Sequence, residues 1–282
     1  MLDLSAITLL CVETRDPALA HFAIQKCTQQ ALFGKMVLIT DLAKLSDRLN
    51  DQTSNQTEDQ EKNSKVARLQ GIEYIQAPLI KTTKDYSDLL LKGLRQYVTG
   101  SHVLIIQWDS FIVHPELWTN DFLRYDYIGA VWPHHPDTPV GNGGFSLRSV
   151  KLLEALESPT ITKRHPEDFC ICVNNKVTLE NQFGIRFAPK NIAEKFAVER
   201  TNWHPAFGFH GFFNFGKVIS AEELSHFLDL LPDAYLEGVD TYDLVNYLYD
   251  HNNNDLAQRI WKRIQFKWRY RKRYLAMAWH LR

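Results

Sequence analysis

The sequence has no long apolar run, little cysteine, few glycines and almost no net charge. No stretch reaches the roughly eighteen consecutive apolar residues of a membrane-crossing helix, so none is predicted to span a bilayer. Lys and Arg total 32 and Asp and Glu 33, a formal net charge of -1. No global field therefore draws the chain to nucleic acid or to a membrane. The four cysteines, Cys11, Cys27, Cys170 and Cys172, do not form a disulfide framework. Cys170 and Cys172 also lack the C-x-x-C spacing of most zinc sites. Buried, reduced thiols follow, which fits a cytoplasmic location. Positive charge is missing at the start, where Asp3 stands in place of the Lys or Arg of a secretory signal. No internal repeat of about 20 to 50 residues occurs, which excludes solenoids and propellers.

What is present is an ordinary soluble composition, 45% hydrophobic and 23% charged, on a chain long enough to bury a large core. Residues 6–14, AITLLCVET, form a continuous apolar run of the kind that is buried on both faces of a sheet. Residues 16–31 carry Asp as a helix cap, Pro just inside it and helical periodicity. KMVLIT (35–40) is a second buried strand, IEYIQAP (72–78) a third, and HVLIIQWDSFIV (102–113) a fourth that breaks at Gln107 to Ser110. Strands alternating with helices predict an α/β fold with a mostly parallel sheet. Residues 46–65 are polar and low in complexity and read as a surface loop. YDYIGAVWP (125–133) reads as a short strand, 149–158 and 166–184 as helices, and 185–189 and 207–213 as short strands or turns.

Several residues invite two readings. Asp109 ends the fourth strand, where open α/β sheets collect ligands; it either caps the next turn or ligates a divalent cation. GNGGFSLR places Gly141, Asn142, Gly143 and Gly144 in a row, as a tight turn or as backbone that lies against a ligand. Glu167 and Asp168 follow Pro166 in the first turn of a helix, as partners for the helix dipole or as a general base. His210 sits among Phe207, Phe209, Phe212 and Phe213, packed or ligating. Arg148 binds a phosphate or carboxylate, or forms a structural ion pair. Asp85 and Ser87 are candidate helix caps. His134 and His135 lie in a Pro-bounded loop with diverging side chains, and Trp132 either packs or stacks on an acceptor.

QWDSF, GNGGFSLR, PEDFCIC and FGFHG, in that order across residues 5–215, resemble the motif series of GT-A-fold glycosyltransferases. More narrowly, they resemble a bacterial domain-of-unknown-function family with these signatures. The resemblance implies a GT-A-like (Rossmann-like) sheet flanked by helices over residues 1–254, with a helical C-terminal extension. It implies transfer of a sugar from a nucleotide-sugar donor to an acceptor hydroxyl with inversion, in bacterial surface glycan or glycoconjugate assembly. Asp168 then corresponds to the base, and Glu167 orients the acceptor. Asp109 matches the last aspartate of a D-x-D motif and, with His210, holds Mn²⁺ or Mg²⁺; Gln107 departs from that motif's first acid. Glu13, Thr14, Arg15, Lys84, Tyr86, Gln107, Trp108 and Asp109 fall beside the donor, and the glycine loop faces donor sugar and acceptor. The rival from another class is a non-catalytic nucleotide-sugar or carbohydrate binding module on the same fold. Nucleotidyl transfer to a sugar phosphate would bring a Gly-rich loop after the first strand, and ETRDPALA has none.

Residues 255–282 read as a basic amphipathic helical tail. From Leu256 onward there is no acid, while Arg259, Lys262, Arg263, Lys267, Arg269, Arg271, Lys272 and Arg273 alternate with aromatic residues. Such a tail lies on an anionic membrane surface, which would make the protein peripheral on the inner face, or packs on the domain. Nucleic acid is the least expected partner. The resemblance adds a glycan or lipid-linked acceptor.

Overall fold

The computed structural model describes residues 1–46 and 71–280. Apart from Ser46, the polar segment 46–65 lies outside them. The described chain divides into two compact units, Met1–His210 and Gly211–Arg282.

The first unit is built on a six-stranded sheet in the order β3-β2-β1-β4-β7-β6. These strands are β1 (Leu2–Val12), β2 (Ala31–Thr40), β3 (Ile72–Gln76), β4 (His102–Ile106), β6 (Tyr127–Ile128) and β7 (Phe145–Ser149). β3, β2, β1 and β4 run parallel, and β7 is antiparallel to both β4 and β6. The mostly parallel α/β sheet expected from the sequence is present. Its apolar runs are buried as expected: Leu9, Leu10, Cys11, Val37, Leu38, Ile39 and Val103 to Ile106 have essentially no exposure. On one face Leu10, Val12, Val37, Ile39, Val103 and Ile105 meet Leu90, Leu94 and Leu153. Each such side chain contributes about 1.5–3 kcal/mol on removal from water. All four cysteines are free and buried.

Helix Pro17–Thr28 starts as read from the sequence: Asp16 accepts from Ala18 N and Pro17 opens the first turn. Helix Thr83–Lys92 is capped differently. Thr82 is its N-cap and Asp85 completes a capping box, while Ser87 donates to Thr83 O within the helix. Two segments depart from the sequence reading. FSLRS, read with the glycines as part of a turn or loop, is strand β7; all five of its residues are buried and its polar side chains find internal partners. The continuous helix expected over 166–184 is broken into a turn at Glu167–Phe169, a π-helical turn at Cys170–Asn174 and a helix at Lys176–Phe183. Asn175 makes the break, its amide donating to Cys170 O at 2.9 Å and Thr162 O at 3.0 Å.

A smaller sheet joins β5 (Ser110–Ile112), β9 (Gly208–His210) and β8 (Ala197–Val198) in the order β5-β9-β8. Ser110 pairs with His210 across it, and this register brings Asp109 to His210. A glycine is needed at 208 because a Cβ there would overlap the Phe145 ring.

The second unit is helical. Its longer helices are Ala221–Leu230, Val239–Asp250, Asn254–Arg263 and Arg271–His280. Phe212, Phe215 and Phe227 form a buried aromatic contact within it. Among the described residues no helix is long and apolar enough to cross a membrane.

Candidate functional site

β1 is followed by a strand on one side of it, and β4 by a strand on the other. Between their carboxyl ends lies the topological switch point, where open α/β sheets leave a crevice for ligands. A cavity of about 440 Å³ opens there, within the size range of small-molecule sites. Glu13, Thr14 and Arg15 line it from the end of β1, and Gln107 and Trp108 from the end of β4. Tyr86, Thr82, Thr83 and Lys81 close the wall formed by the start of helix Thr83–Lys92.

Glu13 is buried and its carboxylate accepts from the backbone amides of Arg15 at 2.7 Å and Asp16 at 3.2 Å. It thereby shapes the loop that leads into the helix, while the Arg15 side chain stays largely exposed. Lys84 is not among the lining residues. It projects from the outer side of its helix and pairs with Asp88 at 2.7 Å. Thr82, Thr83 and Lys81 escaped the sequence reading. Their signal was the polar stretch KTTKD between a strand and a helix start.

Gln107 joins this cavity to a second group of residues. Its amide Nε2 donates to Tyr86 Oη at 2.9 Å, and its Oε1 lies 3.1 Å from His210 Nε2. Asp109 Oδ1 is 3.5 Å from the same nitrogen, and Glu199 Oε1 is 2.9 Å from His210 Nδ1. Burial pushes the imidazole toward its neutral form, but Asp109 and Glu199 together hold it well above the ordinary histidine value. Glu199 had no motif to mark it; it follows β8, whose pairing with β9 carries it to His210.

The glycine loop lies against this group. Asn142, with φ 66°, is its only left-handed residue; no glycine of the loop has a positive φ. Its Oδ1 accepts from Gly144 N at 2.9 Å and its Nδ2 meets His210 Nδ1 at 2.9 Å. The glycines are required by close approach. A Cβ on Gly141 would strike the Trp132 ring, one on Gly143 would strike Glu167 Oε1, and one on Gly144 would strike the His210 ring. The space freed by the missing side chains is filled by the Trp132 ring, the Glu167 carboxylate and the His210 ring.

Glu167 and Asp168 occupy different surroundings. Glu167 is buried and pairs with the fully buried Arg148 at 3.0 Å. Burial raises the Glu167 carboxyl above the usual carboxylate value, and the guanidinium beside it offsets only part of that rise. Arg148 also donates to Ser146 Oγ at 3.1 Å and lies over the Tyr127 ring. Of the two roles open to Arg148, the structure gives it the ion pair. Asp168 is partly exposed; its Oδ2 accepts from Gly143 N at 3.3 Å and its Oδ1 from Phe169 N at 2.8 Å. Trp132, His135 and Phe169 make mutual ring contacts at 5.2 to 6.3 Å next to it. His134 is exposed and takes no part in that cluster.

The fold and site define an open-sheet α/β protein with a ligand cavity at the switch point and a carboxylate–imidazole cluster beside it. Residues 70–210, half of the 282-residue chain, match the DUF5672 family, described as proteins of unknown function, and the chain belongs to that family. No curated protein matches it in sequence. Solved structures similar to it include a glycosyltransferase involved in glycosylation of the major capsid of PBCV-1. That pair is 12% identical over 80% of this chain and 99% of the other, with a TM-score of 0.39. The apo-form glycosyltransferase GlyE of Streptococcus pneumoniae TIGR4 is 11% identical over 83% of this chain and 52% of its own, at 0.38. The mannosyltransferase PcManGT of Pyrobaculum calidifontis, in complex with GDP-Man and Mn²⁺, is 11% identical over 98% of this chain and 85% of its own, at 0.44.

Proposed function

We propose that the protein is a GT-A-type glycosyltransferase that moves a sugar from a nucleotide-sugar donor to an acceptor hydroxyl with inversion. The observation that carries this reading is the continuity through Gln107. One side chain links the switch-point cavity to His210, and His210 links it to the glycine loop on which Asp168 rests. The donor nucleotide occupies the cavity against Glu13, Thr14, Arg15, Tyr86, Gln107 and Trp108, with Lys81 added to the set. Lys84 is left out because its ammonium is turned to Asp88.

In this reaction the acceptor oxygen attacks the anomeric carbon as the bond to the diphosphate breaks, and Asp168 takes the acceptor's proton. Its partial exposure suits that role. Glu167 is the positioning residue, since its carboxylate is engaged by Arg148.

A divalent cation fits the donor set. Gln107 Oε1 and Asp109 Oδ1 both converge on His210 Nε2, a mixture of oxygen and imidazole that suits Mn²⁺ better than Mg²⁺. Among the described residues no group of three His, Cys, Asp or Glu is placed to hold a metal ion; in this reading Asp109, His210 and the Gln107 amide oxygen would hold it. A bound ion would supply Lewis-acid stabilisation of the departing diphosphate, and its binding would release the proton from Nε2. The acceptor belongs to bacterial surface glycan or glycoconjugate assembly at the cytoplasmic face.

The test is a screen of UDP-, GDP-, CMP- and dTDP-sugars with and without Mn²⁺, read by thermal shift and by nucleotide release. One donor should stabilise the protein and turn over. Asp168→Asn should keep the thermal shift while turnover falls about 10²–10⁴-fold. Stabilisation by no donor, or undiminished turnover in Asp168→Asn, would overturn the reading. Stabilisation without any turnover would favour the binding module, toward which the uncharged Gln107 already leans.

A further inference from the structure

Residues 259–273 of the C-terminal unit sort their cations into two sets. Arg259 pairs with Asp229, Arg263 with Asp233 at 2.7 Å, Lys267 with Glu237, and Arg273 with Asp243 at 2.5 Å. Each pair joins residues thirty apart, so the ladder follows two segments of the unit against one another. These cations are structural. Lys262, Arg269, Arg271 and Lys272 are different: they are exposed, and none has an acidic partner among the described residues.

The unpaired set is interleaved with a contiguous aromatic cluster. Tyr274 meets Trp261 with ring centroids at 4.4 Å and Phe266 at 5.0 Å, and Phe266 reaches Trp268 at 6.4 Å. The Arg271 guanidinium lies 5.1 Å above the Trp268 ring. The outer rings of this cluster face water, Phe266 49% and Trp268 72% exposed, and Leu275, next to Tyr274 in the chain, is 64% exposed. Apolar side chains held in water beside cations without counter-charges are what a lipid interface receives. Aromatic rings settle at headgroup depth, and Lys and Arg meet the phosphates. Exposed Leu275 and Phe266 match the acyl boundary and have no counterpart in a nucleic-acid backbone, which favours lipid. Among the described residues no helix is long and apolar enough to cross a bilayer, and the proposed contact is with the membrane surface.

We propose that residues 261–275 form a docking patch for an anionic bilayer. Phe266, Trp268 and Leu275 enter the headgroup region, and Lys262, Arg269, Arg271 and Lys272 pair with lipid phosphates. This assignment is independent of the reaction proposed above. The experiment is sedimentation of the full chain with vesicles of phosphatidylcholine alone and of equimolar phosphatidylcholine and phosphatidylglycerol. The protein should pellet with the anionic vesicles only, and less so as salt rises. Arg271→Ala should lower the partition coefficient about fivefold, Arg271→Glu should lower it further, and Trp268→Ser should weaken binding at every salt concentration. Lys262→Glu tests the other helix, and Arg124→Ala, a surface cation of the first unit, should bind as wild type. Circular dichroism of each variant checks that it is folded. The proposal is overturned if the wild type stays in the supernatant, binds both vesicles equally, or is matched by the Arg271 and Trp268 variants. Binding of a single-stranded RNA without vesicle binding would overturn it in favour of nucleic acid.

Discussion

Arg148 and Glu167 pair at 3.0 Å with side chains 0% and 7% exposed; Arg273 and Asp243 pair at 2.5 Å with side chains 46% and 27% exposed. The shorter contact contributes less. In the C-terminal ladder, water screens both charges and solvates either one left alone, so a pair adds about 0–1 kcal/mol. Beneath the glycine loop, neither charge has water to fall back on. Forming that pair is costly, and breaking it from one side is costlier, because the remaining charge stays buried. Distance alone therefore ranks the two regions in the wrong order, and burial restores it.

The largest expected effect follows from the buried pair. Arg148→Met should lower the unfolding free energy by about 3–5 kcal/mol, read from urea denaturation. The double variant Arg148→Met/Glu167→Gln should recover part of the loss; no recovery would mean that the two charges are not coupled.

His21 shows another way to bury a titratable group. Burial lowers its pKa to about 4, and its Nε2 meets Tyr74 Oη at 3.1 Å. In the unfolded chain the imidazole titrates near 6.5 and binds a proton that the folded form refuses. Stability is therefore full above about pH 6.5 and is lost as pH falls toward 4. The loss is on the order of 3 kcal/mol across that window. His21→Gln should flatten the stability profile over the same range, and an unchanged slope would remove His21 as its source.

Gly144→Ala comes next, at about 1–3 kcal/mol for overpacking, because the added carbon falls on the His210 ring. A variant as stable as wild type would show that the loop and His210 can separate. Arg273→Ala should be smallest, within about 1 kcal/mol and fading as salt rises. Arg263→Ala should exceed it, since Arg263 also donates to Leu228 O and Leu231 O. If Arg273→Ala matched Arg148→Met, the contrast between the two regions would fail.

The parallel sheet was legible because β1, β2 and β4 are unbroken apolar runs and Asp16-Pro17 announces a helix. Much of the cavity was legible too, since Glu13 to Arg15 and Gln107 to Trp108 directly follow strands. β7 was not legible. FSLRS alternates Ser and Arg with apolar residues, and only a buried carboxylate nineteen positions away makes a buried arginine tolerable. Glu199 was hidden for a related reason: its partner His210 is eleven residues on, and their contact depends on the pairing of two short strands.

The sequence by itself determined the apolar strands, the Asp16-Pro17 helix start and the order in which polar residues leave the sheet, because burial patterns and such helix starts are local. Only the tertiary structure decided which charge meets which. It set Glu167 against Arg148 and left Asp168 partly open. It paired half of the basic tail and left the other half exposed. It also turned the glycines from a sign of backbone freedom into a steric requirement. Charge pairing and close approach depend on distances between remote segments, and those distances exist only once the chain is packed.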